Sequence, residues 1–203
     1  MEIRIETDRD VYEPAADTEL LVKSIRLREN DLVLEIGTGT GLVAIHCAKH
    51  GARVTATDVC SGALDLARRN CEDNGVQVDL REGDLFEPVE GAFDVIVFNP
   101  PYLPTEPDDL THSPLDKALD GGPDGTETAL RFIAGLLEHL AENGRAYLVV
   151  SSLQDMGRIE RELHVHGLAS RNMGSSKFAF ETISVLEMRR PPREIPANGI
   201  GAV

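Results

Sequence analysis

Leu32-Val33-Leu34-Glu35-Ile36 is a short apolar run that stops on Gly37-Thr38-Gly39-Thr40-Gly41, and a helical pattern begins at once with Leu42. A buried strand that turns through alternating glycines straight into a helix is the opening of a βα unit, and it constrains the chain toward a parallel sheet. The rest of the chain repeats the alternation. A helix is expected over 42–50, closed by Gly51, and a second strand over 53–58. Ser61 reads as the N-cap of a helix with Ala63, Leu64, Ala67 and Cys71 on one face, stopped by Asn74-Gly75. Residues 76–80 alternate like a half-exposed strand, while 93–98 is continuously apolar and therefore central.

Downstream, 126–141 is helical with Gly144 closing it, 146–150 is a fifth strand and 153–166 a further helix. Two late segments, near 168–173 and 178–188, read as a terminal strand pair, and 15–28 as an N-terminal helix with Leu20, Leu21, Ile25 and Leu27 apolar. Strands alternating with helices at this spacing predict an α/β fold with a doubly wound, mostly parallel sheet. The 203 residues suit one such domain, 1–190, rather than two. The segment 191–203 has Pro and Gly without apolar periodicity and is expected to be disordered.

Composition narrows the function classes. No run approaches roughly 18 apolar residues, so no membrane helix is expected. The charged start, without an apolar signal core, predicts a cytoplasmic protein. Cys47, Cys60 and Cys71 form no CxxC pair and read as thiols of a reducing compartment. The net charge is −15, and lysine occurs only at Lys23, Lys49, Lys117 and Lys177. An acidic, lysine-poor chain suggests a high-salt cytoplasm, where a screening length of about 3 Å would mute that charge. At ordinary salt the same charge argues against a phosphate-backbone partner. The pairs His46/His50 and His164/His166 lack a Cys or carboxylate that would complete a metal site, so no metal is expected.

The glycine loop carries more information than its turn. A dinucleotide fingerprint sets its third glycine at position 42, where this chain has Leu42. Here Glu35 stands two residues ahead of Gly37, Gly39 and Gly41, with Thr38 between. A carboxylate there repels pyrophosphate but suits a ligand ammonium. S-adenosylmethionine, with an amino acid and a sulfonium and no phosphate, fits such a loop. Asp58 ends the second strand roughly 20 residues on, the spacing of an acid that binds ribose hydroxyls, or else it caps the next helix. Asp84 follows the third strand; it either accepts from an adenine amine, with Leu85 beside it, or is an ordinary loop acid. All of these follow successive strands, on the rim where open α/β sheets bind ligands.

The sequence "FDVIVFNPPYLP" ends the fourth strand on Asn99-Pro100-Pro101-Tyr102. With "YEPAADT" at 12–18, "LEIGTGTG" at 34–41, "GDLF" at 83–86 and "ALDGGPDG" at 118–125, the chain resembles the class I methyltransferases, and more closely the HemK/PrmC release-factor glutamine methyltransferases, over about residues 12–188. The resemblance implies a seven-stranded sheet with an antiparallel last strand and S-adenosylmethionine as cofactor. It also implies N5-methylation of the glutamine in the Gly-Gly-Gln loop of a class-I release factor. Only about 30 residues precede the first strand, where bacterial members carry a helical domain. That shortness resembles the archaeal and eukaryotic branch, whose members pair with a small zinc-binding, Trm112-like activator. The third strand lies at a sheet edge in this fold, so Val76, Val78 and Leu80 are expected to meet the activator by strand addition.

Asn99 offers a side-chain acceptor and donor, and Pro100 a carbonyl without an N–H. Two acceptors can hold the two hydrogens of a planar amide. Pro101 would stiffen the turn and Tyr102 pack the amide's face. Thr18 either touches the methionine part of the cofactor or caps the first helix, next to Asp17. The loop Asp120-Gly121-Gly122 is either a substrate lid with glycine hinges or a plain surface loop. An adenine or guanine amine could also meet Asn-Pro-Pro-Tyr, but no basic stripe or target-recognition domain is visible. A cationic lysine would first have to lose a proton.

Overall fold

The structure, a computed structural model, describes residues 2–105 and 116–191. The expected tail therefore lies almost wholly outside the described residues. Five strands run parallel: β1 (Leu32–Ile36), β2 (Arg53–Asp58), β3 (Asp79–Glu82), β4 (Phe93–Phe98) and β5 (Leu140–Ser151). β6 (Ala169–Lys177) and β7 (Thr182–Arg189) form a hairpin in which β7 is antiparallel to both neighbours. The seven-stranded order is β3-β2-β1-β4-β5-β7-β6. The helices are α1 (Ala16–Ser24), α2 (Leu42–Lys49), α3 (Ser61–Asp73), the short α4 (Asp116–Leu119), α5 (Glu127–His139) and α6 (Met156–Val165). None of them is long and apolar enough to cross a membrane.

The sheet is covered on both faces, which is why β4 reads as unbroken apolar sequence. Ile96 and Phe98 join one core with Phe132, Ile133 and Leu136 of α5 and Ile159 of α6. Val95 and Val97, one residue out of step, join the other with Val43, Ala44 and Cys47 of α2 and Leu21 of α1. Val95, Ile96 and Val97 are fully buried. At about 1.5–3 kcal/mol per buried Val or Ile side chain, they hold the end of β4 firmly where it meets the rim.

Several expected boundaries move, each for a physical reason. Ser61 is the first residue of α3 rather than its cap; Cys60 takes the cap position and donates its N–H to Asp58 Oδ1 at 2.9 Å. The third strand starts at Asp79, where pairing with Thr55 of β2 begins, so Val76 and Val78 precede it and only Leu80 lies on it. Gly144 does not close a helix. It sits inside β5, which starts directly after α5, and a Cβ there would press on the Phe93 carbonyl and the Leu140 side chain. α1 stops at Ser24 because Ile25 turns to extended backbone and the Arg26 N–H goes to the Tyr147 hydroxyl at 3.1 Å. α6 begins at Met156, capped by the Asp155 carboxylate, which accepts from the Arg158 N–H. β6 and β7 are displaced to 169–177 and 182–189, joined by the turn 178–181.

Candidate active site

A cavity of about 590 Å³ opens on the rim formed by the C-terminal ends of β1, β2 and β4. The glycine loop makes its floor. Thr38 N–H donates to the Thr57 carbonyl at 3.0 Å and Gly39 N–H to Asp58 Oδ2 at 2.9 Å, so the loop is tied to β2. Gly37, Thr38 and Gly39 line the cavity; Gly41 does not. Its backbone is left-handed (φ 82°), and a Cβ there would lie 3.1 Å from the Ala67 Cβ, so this glycine lets α2 and α3 approach.

Glu35 is 5 % exposed and lines the cavity, with its Oε2 accepting from the Thr38 hydroxyl at 2.7 Å. Burial pushes its carboxyl up to about 8, against the pull of Thr38 and of the Ala44 N–H. Asp58 uses both oxygens on backbone N–H groups, those of Gly39 and Cys60, so it braces the loop and the start of α3 together. Its pKa is raised by burial, which those N–H groups partly offset. Asp58 thus ties the loop to the start of α3 and also lines the cavity. Asp84 and Leu85 lie further along the wall. Arg131 of α5 pairs with Asp84 Oδ2 at 2.6 Å, and Leu85 holds a left-handed backbone (φ 49°), a strained state for a leucine at a site edge.

The Asn-Pro-Pro-Tyr turn leaves β4 beside the glycine loop, since Phe98 pairs with Ile36, and Asn99, Pro100, Pro101 and Tyr102 all line the cavity. Sequence reading did not find what orders it. Asp17, 1 % exposed at the start of α1, accepts on Oδ2 from three donors. These are Tyr12 Oη at 2.9 Å, Asn99 Nδ2 at 3.0 Å and Tyr102 Oη at 3.1 Å. Its Oδ1 accepts from the N–H and hydroxyl of Thr18. Burial, then the Asp17 charge, drives both tyrosine pKa values upward, so both remain protonated donors. The Asn99 amide is fixed by this arrangement, since a carboxylate can only accept. Asn99 Oδ1 is left buried without a hydrogen-bond partner among the described residues. Such an orphan acceptor costs about 1–3 kcal/mol and marks a place for a donor.

A second link that sequence reading missed is Asn70 of α3, fully buried. Its Nδ2 donates to the carbonyls of Glu6 and Thr40, and its Oδ1 accepts from the Glu6 N–H. It pins the N-terminal segment, which carries Tyr12, beside the glycine loop.

The Asp120-Gly121-Gly122 loop packs behind the turn. Asp120 reaches the cavity, whereas Gly121 and Gly122 do not line it. Gly121 N–H donates to the Leu103 carbonyl, Thr105 N–H to the Gly122 carbonyl, and Leu103 N–H to the Leu119 carbonyl. A Cβ on Gly125 would collide with the Tyr102 carbonyl. Gly121 and Gly125 permit close backbone contact that buttresses Tyr102 from behind.

The lining tests which ligand fits. Seven carboxyl side chains and one guanidinium, Arg131, face the cavity among the described residues, and Arg131 is already paired with Asp84. That wall repels phosphates and favours a cation. A sulfonium-bearing amino acid joined to a nucleoside matches the glycine floor, the acid at the end of β2 and the charge. The described residues hold no group of His, Cys, Asp and Glu that could bind a metal.

Fold and site together define a class I methyltransferase that uses S-adenosylmethionine. The family described as the methyltransferase small domain matches residues 5–174, and the chain belongs to it. A Methanocaldococcus jannaschii protein, provisionally named a protein N5-glutamine methyltransferase, is 41 % identical over 93 % of this chain and 96 % of its own length. The release factor glutamine methyltransferase of Streptococcus pneumoniae is 32 % identical over 88 % of this chain and 67 % of that protein. Among solved structures, the E. cuniculi Mtq2–Trm112 complex, described as responsible for methylation of the eRF1 translation termination factor, superimposes with a TM-score of 0.72. The match has 27 % identity and covers 90 % of this chain and 99 % of the other.

Proposed function

We propose that the chain methylates the side-chain amide nitrogen of the glutamine in the Gly-Gly-Gln loop of a class-I release factor. The observation that carries this reading is the buried, unpartnered Asn99 Oδ1 on the cavity wall. A substrate amide has two N–H hydrogens, and Asn99 Oδ1 and the Pro100 carbonyl would accept one each. That pair turns the planar nitrogen toward the reacting centre, and orientation of this kind can supply about 7–11 kcal/mol of the barrier. The glycine loop, Asp58 and Asp84 would hold S-adenosylmethionine, which would supply a methyl group already activated on cationic sulfur. On transfer the amide nitrogen would form the new N–C bond as the S–C bond breaks with its electrons left on sulfur, and the surplus N–H proton would pass to solvent water. Positive charge that grows on the nitrogen is stabilised by the two acceptor dipoles. Tyr102 and Pro101 flank the amide plane, and Thr18 and Glu35 serve the amino-acid end of the cofactor.

The same reading includes a small Trm112-like activator. In the sheet β3 pairs with β2 alone, so its outer edge is open to strand addition. That open edge spans 79–82, with Val76 and Val78 preceding it. Val78 and Leu80 pack against the core, so they support the edge from beneath. The net charge of −15 with four lysines supports a high-salt, archaeal cytoplasm as the setting, and activity that rises with KCl would test this. Labelled S-adenosylmethionine, offered with release factor and RNA in separate reactions, tests the function. Label is expected in the release factor; label in RNA alone overturns the reading.

A further inference from the structure

β6 runs parallel to β1, β2 and β4, so its C-terminal end reaches the same rim as the cavity. The turn that follows is Phe178-Ala179-Phe180-Glu181. Phe180 is 93 % exposed and Phe178 44 % exposed, in a chain with 6 Phe and no Trp. Single exposed apolar residues are ordinary, but two aromatic rings on one turn beside a ligand cavity form a patch.

The turn is fixed in position. Phe178 N–H donates to the Glu181 carbonyl at 2.8 Å, Thr182 N–H to the Ser152 hydroxyl at 2.9 Å, and the Ser151 hydroxyl to Glu181 Oε2 at 2.8 Å. Glu181, directly after Phe180, lines the cavity. The patch is therefore continuous with the catalytic opening. The activator's edge, β3, lies at the far end of the sheet from β6. A partner on that edge leaves the turn uncovered.

We infer that Phe178 and Phe180 form a docking site for the protein substrate, packing on an apolar surface beside its reacting loop. This rests on the proposed protein-glutamine activity. A side chain can enter the cavity only if its parent protein lies across the mouth, and rigid aromatic side chains there supply contact area at low entropic cost. The cavity would then select the amide and the turn would select the protein that carries it.

The test compares two substrates, intact release factor and a short Gly-Gly-Gln peptide, with the unaltered enzyme and the Phe178→Ser/Phe180→Ser variant, activator present throughout. The variant is expected to raise KM for the intact factor about tenfold or more, with kcat at saturation, S-adenosylmethionine affinity and peptide turnover unchanged. An unchanged KM for the intact factor, or equal losses on factor and peptide, overturns the docking site while leaving the methyltransferase reading in place. Absence of transfer to the factor by the unaltered enzyme overturns both.

Discussion

Asn99 Nδ2 donates to Asp17 Oδ2 at 3.0 Å, across 82 residues of sequence, and the Oδ1 of the same amide is buried without a hydrogen-bond partner among the described residues. The carboxylate at 17 therefore decides which way the Asn99 amide faces. Asp17→Asn sets an NH2 where three donors converge or where the Thr18 N–H points. Asn99 is then expected to turn over and show its own NH2 to the substrate. A misplaced group of this kind costs about 10²-fold in kcat, and S-adenosylmethionine affinity should stay within a few-fold. Asn99→Asp in the unaltered background sets two carboxylates side by side and should also fail. The exchange Asp17→Asn with Asn99→Asp restores one acceptor facing the cavity and one donor behind it, so it should recover activity over either single change. Steady-state kinetics of the four proteins measure this, and additive losses would contradict it.

Glu35 gives stability a pH dependence. Its folded value is about 8, against 4.5 for an ordinary glutamate, so the native chain keeps a proton that the unfolded chain has released. The Glu35 contribution is fully present below about pH 4.5 and is lost progressively as pH rises to about 8. Glu35→Gln, which cannot ionise, removes that slope. Thermal melts without cofactor should show the variant gaining on the unaltered protein between pH 5 and 8. A constant difference across that range would contradict the assignment.

Gly125→Ala should cripple the site from behind. The position has φ 72°, and the added methyl would strike the Tyr102 carbonyl. Left-handed strain alone is worth about 1–3 kcal/mol, and relief would come by pushing the Asn-Pro-Pro-Tyr turn. A lower melting temperature together with reduced kcat is expected; loss of neither would show that the loop is slack.

Hydrogen exchange tests the partner edge. Adding the activator should slow exchange of the amides at 79–82 and leave the turn at 178–181 unchanged. Protection confined to the β6–β7 end would contradict the assignment of the activator to β3.

Much of the site was legible because its residues lie at the ends of strands with a clear pattern, mostly apolar in β1 and β4 and alternating in β2. β1, β2 and β4 have the expected bounds, and with them Glu35, Asp58 and Asn99 fall on one rim. The strand β3 was not legible, because Val76, Val78 and Leu80 alternate through both a lead-in loop and a strand, and only pairing with Thr55 sets its start. Asp17 escaped because its three donors lie 5, 82 and 85 residues away, a convergence no local pattern announces. The loop at 120–125 reads as either a hinged lid or a plain surface loop, since sequence shows the freedom of Gly121 and Gly125 but not the backbone packed against them.

The most direct measurement is tandem mass spectrometry of the release factor after incubation with the enzyme, its activator and S-adenosylmethionine. The account predicts one added methyl group on the side-chain nitrogen of the Gly-Gly-Gln glutamine, absent with Asn99→Ala although that variant still binds the cofactor. A methyl group on lysine or another residue, or an Asn99→Ala enzyme of undiminished activity, would contradict it.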